Sequence, residues 1–328
     1  RAARAARHGI ALGERLIAYL PRYAPLLSRM PWLPALRDRV PGAARLSERM
    51  LGLSTRRSLP RWQGDFLRSR SPSAPTSSSD SRQVMLFVDS FTNYFAHENA
   101  IAASTVLERA GYVVHTNAVG GERPLCCGRT FLVAGLVAQA KLEARRTLSA
   151  LLPWLERGVP VVGLEPSCLL GMRDEFLDYG LGADARTLAA NAWLFEEFLV
   201  REKAAGRFAL TFANAPASQA IAHAHCHQKA FGAAGAMAEV LHWIPGMTTR
   251  EIESSCCGMA GAFGYEARHY DASMAMGELA LLPAARAAAP ETLVIADGFS
   301  CSHQIRDGSA REAIHVARVL AQALEKRS

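Results

Sequence analysis

Seven cysteines carry the most telling chemistry of this 328-residue chain, and they fall into two sets with nearly the same spacing. Cys126-Cys127-Gly128 is matched 130 residues later by Cys256-Cys257-Gly258, and Ser167-Cys168 is matched 133 residues later by Ser300-Cys301. Cys226 lies 136 residues after Ser90, and Phe95 and Phe231 keep the same offset. Offsets this close point to an internal duplication whose first copy has lost one cysteine, with a period far longer than that of a solenoid. An odd number of cysteines without the spacing of a small disulfide scaffold predicts reduced thiols in a cytoplasmic protein.

Thiolates are soft ligands that favour zinc or iron–sulfur clusters. In the second copy 29 residues separate Cys226 from Cys256 and 42 separate Gly258 from Cys301, so the four thiols meet only if the elements carrying them are neighbours. Zinc sites usually space paired ligands by two to four residues, whereas adjacent thiols diverge and suit a polynuclear cluster. Gly258, and Gly128 in the first copy, are read as cofactor-binding: they can take positive φ and let the backbone approach an anionic centre. A helix after Gly258 would aim its N-terminal amides there. Cys226, Cys256, Cys257 and Cys301 are therefore expected as metal ligands, with Cys126, Cys127 and Cys168 as a second set. In that set Ser90 or Asp89 stands in the fourth place, and a metal site and a metal-free relic are equal readings. Cysteines packed simply as small core residues compete with this reading, and the two matched triplets argue against it in the second copy. Alternation along HAHCH would turn His223, His225 and His227 away from Cys226. Contact with the ligands from His227 or His303, rather than direct ligation, is the expectation.

These residues need a scaffold. From residue 83 onward apolar strands alternate with helical stretches: QVMLFVDS, ENAIAASTVLERAGY, VVHTNAV, LVAQAKLEARRTLSALLPWLERG and VPVVGLEPSC. The order then recurs in AIAHAHC, GAAGAMAEVLHWI, TREIESSCC, a helical run from Tyr265 to Ala289, and TLVIADGFSC. This predicts an α/β fold of two cysteine-rich repeats, 83–205 and 206–328, with mainly parallel sheets flanked by helices and every cysteine at a strand end. Functional crevices of such sheets lie beyond the carboxyl ends of the strands.

The segment before the repeats differs in kind. Residues 1–70 hold 15 arginines against four acids, a net of +11 within a whole-chain charge of +7. Helical spacing broken by Pro21, Pro25, Pro31, Pro34 and Pro41 predicts a basic connector of short helices over 1–68, not a packed domain. Ser/Pro-rich residues 69–82 read as a flexible linker. A start RAARAARHG without Met is expected to be internal to a longer polypeptide, a mitochondrial-type transit peptide being the minor alternative. The composition, 50% apolar and 20% charged, excludes a disordered or fibrous protein. No apolar run suits a spanning helix. Nucleic-acid binding is set aside because the prolines deny a long recognition helix, and an anionic membrane surface or an acidic partner domain suits the arginines better.

The paired triplets over residues 83–328 resemble the cysteine-rich, or CCG, domain family, whose repeats run Cys…Cys-Cys-Gly…Cys-x-x-Cys. LFVDSFTNYFAHENA and STRRSLPRW are closer to the C-terminal iron–sulfur region of bacterial FAD-linked D-2-hydroxyacid dehydrogenases. The resemblance implies electron transfer in an oxidoreductase that oxidises D-lactate, D-2-hydroxyglutarate or glycolate and passes electrons to a quinone or similar acceptor. It implies a [4Fe–4S] cluster here, FAD in an upstream domain, flavin and ferredoxin-like domains as partners, and no catalytic residue in this chain. A cytoplasmic protein, peripheral at the inner membrane face at most, is implied too. The final Cys-x-x-Cys is reduced to CLLG at Cys168–Gly171 and CSHQ at Cys301–Gln304, which disfavours a five-cysteine cluster. A zinc-stabilised docking module without redox function is the alternative.

Overall fold

The computed structural model describes residues 1–70, 82–118, 123–213 and 215–324. Among the described residues eight strands form two four-stranded sheets. The first is built from β1 (Arg82–Phe87), β2 (Tyr112–Thr116), β3 (Val161–Gly163) and β4 (Ala192–Leu194) in the order β2-β1-β3-β4. The second repeats that order as β6-β5-β7-β8, with β5 (Gln219–His223), β6 (Thr248–Glu251), β7 (Leu293–Ala296) and β8 (Ala313–Ile314). Every pairing is parallel. In each sheet the chain leaves the first strand to one side and returns on the other, so a topological switch point falls between β1 and β3 and between β5 and β7.

Burial on both faces explains the continuous apolar strands. Val84, Met85, Leu86 and Phe87 are each at most 1% exposed. With a side-chain period of two, Val84 and Leu86 enter one cluster and Met85 and Phe87 another. The second sheet divides likewise: Ala220, Ala222 and Ile295 join the cluster of Val84 and Leu86, whereas Ile221, Val294 and Ala296 face a third cluster. The two sheets thus share one central core, filled by the helices His97–Arg109, Phe195–Ala204, Ala234–His242 and Val316–Ala323.

Three expectations need correction. The strands β4 and β8, of three and two residues, lie where no strand was expected. Most cysteines follow the strands rather than end them: Cys226, Cys168 and Cys301 sit in the first turns of helices Cys226–Ala230, Pro166–Arg173 and Phe299–Ser309. The prolines of the basic segment break fewer helices than expected. Pro21 and Pro34 open helices, where an amide is unpaired anyway, and Pro25 lies inside Leu20–Leu27, where it removes a single bond from a short helix. The expected linker falls mostly on residues 71–81, which lie outside the described residues. Among the described residues no helix is long and apolar enough to cross a membrane.

The short N-terminal helices pack on both sheets' surroundings. Tyr19 meets Phe131 edge-on at 5.1 Å, and Trp62 meets Phe95 at 4.5 Å. Arg57 enters the second half completely. It donates to Gln304 Oε1 at 2.7 Å, Gly264 O at 3.2 Å and Ser273 Oγ at 3.3 Å, and lies 3.5 Å from Asp307. Removing one partner of a buried polar network strands the others. Arg57→Met is therefore expected to lower unfolding stability by about 3 kcal/mol, whereas Arg56→Met, at an exposed ion pair with Asp271, changes it by less than about 1 kcal/mol. Urea denaturation of both variants checks this, and equal losses would refute the role given to Arg57.

Candidate metal centre

Parallel pairing delivers the ends of all strands of a sheet to one edge, and in the second half the thiols gather there. After β5 the chain turns at His225, whose Nδ1 accepts the His227 amide at 3.1 Å and so caps the helix that Cys226 opens. Gln228 closes the cap by accepting the His225 amide at 2.7 Å. This turn ends the strand alternation that was expected to separate the histidines from Cys226. His225 Nδ1 and His227 Nδ1 instead lie 3.8 and 3.6 Å from Cys226 Sγ. His223, the last residue of β5, groups with Cys257 and Cys301 within 4.8 Å.

The four thiols influence one another in series, Cys226 with Cys256, Cys256 with Cys257, and Cys257 with Cys301, the last two lying within 4.8 Å of each other. The adjacent pair diverges in its outer partners, Cys256 toward Cys226 and Cys257 toward Cys301. Contact with Cys226 and Cys257 draws Cys256 well below the ordinary thiol range. Contact with Cys257, then the nearby imidazoles of His225 and His223, draws Cys301 down. Cys226, through contact with Cys256 and burial, is pushed up, as is Cys257 through Cys256 and Cys301. Alternate members of the row thus favour the thiolate, the form that binds soft metals.

Two glycines make the arrangement possible for different reasons. Gly258 has φ +93°, and a Cβ there would stand 2.2 Å from Ser273 O, while its amide donates to Cys256 Sγ at 3.3 Å. The expected helix does not follow it; a turn and the short 3-10 helix Phe263–Tyr265 do. Gly298, which no sequence motif singles out, has ordinary φ, but a Cβ would meet His225 Cδ2 at 2.5 Å and Cys301 Sγ at 3.2 Å. Its missing side chain lets imidazole and thiol share one space.

The first half repeats the plan with different chemistry. Cys127 Sγ lies 3.1 Å from Cys168 Sγ, and Gly128, at φ +82°, donates its amide to Cys126 Sγ at 3.3 Å and precedes the helix Arg129–Val133. By the matched offsets, Asp89 stands where His225 stands and Glu165 where Gly298 stands. Both carboxylates are buried helix caps: Asp89 accepts from the Phe91 and Thr92 amides at 2.8 and 3.1 Å, and Glu165 accepts from the Ser167 amide at 3.3 Å. Burial, then Glu165, pushes Asp89 up to about 6. Although contact with Cys127 favours its thiolate, burial and the Asp89 and Glu165 carboxylates push Cys168 up to about 12. Contact with Cys127 and burial push Cys126 up as well.

Among the other predicted residues, His303 is held away from the row: Nδ1 pairs with Tyr265 OH at 2.9 Å and Nε2 with Ser58 Oγ at 3.1 Å. The places where Cys-x-x-Cys would put a second thiol are occupied otherwise. Gln304 pairs with Arg57, and at Gly171 a Cβ would meet Glu175 Oε2 at 2.8 Å.

Donor chemistry fits a metal centre in the second half. It offers four thiols and the buried imidazole of His223, whose Nδ1 is taken by Ser254 Oγ at 2.7 Å and which lies with Cys257 and Cys301 within 4.8 Å. Among the described residues the donors form two groups, His223 with Cys257 and Cys301, and His225 with Cys226 and His227.

Among known proteins, the chain is similar to parts of dehydrogenases. The chain matches no protein-family model. It is 26% identical over 304 residues, 92% of its length, to one of the subunits of the anaerobic glycerol-3-phosphate dehydrogenase of Escherichia coli, covering 73% of that protein. It is 24% identical over 341 residues to the D-2-hydroxyglutarate dehydrogenase of Escherichia coli and 26% over 252 residues to that of Pseudomonas putida. These alignments take in 96% and 75% of the chain but 31% and 23% of the two enzymes, so it spans about a third of their length or less.

Gly258→Ala is expected to destabilise the fold and scatter the thiol row, because it adds a clash to a left-handed backbone, whereas Gly261→Ala, at φ +66° with open space, costs about 1 kcal/mol. Thermal unfolding with thiol-labelling mass spectrometry compares them; equal effects would refute the close approach at Ser273.

Proposed function

We propose that the chain is the electron-transfer part of a dehydrogenase, with an iron–sulfur cluster of [4Fe–4S] type held by Cys226, Cys256, Cys257 and Cys301. The observation that carries this reading is the unbroken row of four thiols at a topological switch point, lined by imidazoles. A single zinc ion needs four donors converging on one point, and the division of the donors into two groups favours a larger centre. Such a cluster supplies one-electron transfer. The protein's part is to hold the thiolates, to exclude bulk water by burying Cys257 and Cys301, and to direct the amide of Gly258 at a sulfur.

The first half keeps three thiols, but its capping carboxylates oppose thiolate formation, so we assign it no cluster. The shared strand order and cysteine offsets support a duplication into repeats 83–205 and 206–328. Similarity to the two kinds of dehydrogenase supports a donor whose hydroxyl-bearing carbon is oxidised to a carbonyl, D-2-hydroxyglutarate or glycerol-3-phosphate being the classes the relatives name. A flavin domain upstream or on a partner would take the hydride, since a cluster accepts electrons singly. A quinone or similar acceptor would receive them. The basic segment, which exposes Leu26, Trp32, Leu36, Leu46 and Met50 among its arginines, is suited to peripheral contact with an anionic membrane surface.

Anaerobic reconstitution with iron and sulfide is expected to give a brown chain with broad visible absorption. Cys256→Ser and Cys301→Ser should lose the colour and most of the iron, and Cys126→Ser should keep both. A colourless chain with stoichiometric zinc would establish the docking-module alternative, and equal iron in Cys256→Ser and wild type would refute the ligand assignment. Salt-sensitive co-sedimentation with anionic vesicles checks the membrane contact; binding unchanged by lipid charge would count against it.

A further inference from the structure

A polar chain runs between the two cysteine groups. Arg129 follows Cys126-Cys127-Gly128 directly and is the first residue of its helix. Its guanidinium is three-quarters buried; Nη1 bonds Glu175 Oε1 at 2.5 Å, and Nη2 meets His227 Nε2, in the other half, at 2.7 Å. An arginine has donors and no acceptor, so Nε2 must supply the lone pair in that contact. The single proton of a neutral ring is then on Nδ1, and Nδ1 lies 3.6 Å from Cys226 Sγ. His225 offers the same sulfur no such proton, because its Nδ1 already accepts the His227 amide. Room for the Arg129–Glu175 pair exists because residue 171 is glycine.

We propose that Arg129 is a positioning residue for the second-half centre: from the first half it fixes His227 in the Nδ1–H tautomer and so aims a hydrogen-bond donor at the Cys226 sulfur. Its redox consequence rests on the cluster proposed above, whereas the tautomer does not. Hydrogen bonds to the sulfurs help to set the reduction potential of an iron–sulfur centre, because a donor stabilises the added negative charge of the reduced form. Glu175 neutralises most of the guanidinium charge, so the oriented N–H is the main effect.

The experiment uses the full chain in two states. In the chain before iron loading, nitrogen-15 NMR of labelled histidine, with His227→Gln to identify the signal, should show His227 protonated on Nδ1. In Arg129→Met/Glu175→Gln, which removes the donor without leaving an unpaired charge, the Nε2–H tautomer should grow, and Arg129→Lys should restore part of the wild-type signal. After loading with iron and sulfide, redox titration of the double variant should show a lower midpoint. The shift expected is about tenfold in the reduced-to-oxidised ratio at fixed ambient potential, equivalent to about 59 mV for one electron. His227 protonated on Nε2 in the wild type, or equal midpoints in wild type and double variant, would overturn the proposal. A wild-type chain that binds no iron would refute the proposed function, and the tautomer measurement would then decide this inference alone.

Discussion

Parallel pairing of every strand is the constraint on which the rest of this structure depends. A parallel neighbour can be reached only by a crossover, so each strand is followed by a helix and all strand ends of one sheet emerge on one edge. Covered by helices on both faces, the strands leave room for chemistry only at their last residue, as at His223: the β1 positions from Val84 to Phe87 are divided between two apolar clusters. Reactive side chains are displaced to the first residues after each strand, where the backbone needs caps. The cysteines are there for that reason, in the first turn of a helix or in the loop before one.

Identity at the cap positions then decides what each edge can do. A capping carboxylate stabilises a helix N-terminus by about 1 kcal/mol and suits the helix dipole, so Asp89 and Glu165 are good choices for folding. They are poor neighbours for a thiolate, and Cys168 stays protonated beside them. In the second half His225 still caps its helix, yet an imidazole adds no negative charge. Gly298 gives up a side-chain cap, and the amide of Phe299 is satisfied from the other half by Glu165 Oε2 at 2.8 Å. The second half is thus freed for thiolate chemistry partly because the first half supplies its missing acceptor.

This explains how much could be read from the amino-acid order. Six strands and the α/β class were legible because apolar runs are local, additive signals, and the matched offsets singled out Cys226, Cys256, Cys257 and Cys301 as candidates. The strands β4 and β8 were not, since two or three residues make no periodic pattern and pairing with β3 and β7 defines them. The alternation argument, which turned the histidines away from Cys226, assumed that the strand continued to that residue, whereas the His225 cap ends it and leaves His227 beside the Cys226 sulfur. Arg57 and Arg129 carried no signal at all. An arginine in an arginine-rich chain looks solvated until the fold brings Gln304 or His227, 247 or 98 residues away, against it.

The same contacts bear on why three thiols persist in a half with no assigned cluster. The two halves are not separable beads: they share a central core, and Glu196 of the first binds Gln228 of the second at 2.7 Å, which in turn binds Asp297 at 3.1 Å. Burial, and then Asp297, push Glu196 well above the ordinary carboxyl range, so this buried link joins a neutral acid to an amide at little electrostatic penalty. Cys127 and Cys168 line a small cleft together with Arg129 and Glu175, beside a guanidinium that is largely buried. Small, soft, uncharged groups suit that place. A loss of metal binding in the first half would therefore not release its cysteines from constraint, because their helix and loop still set the position of Arg129, and Arg129 reaches the sulfur row of the second half through His227.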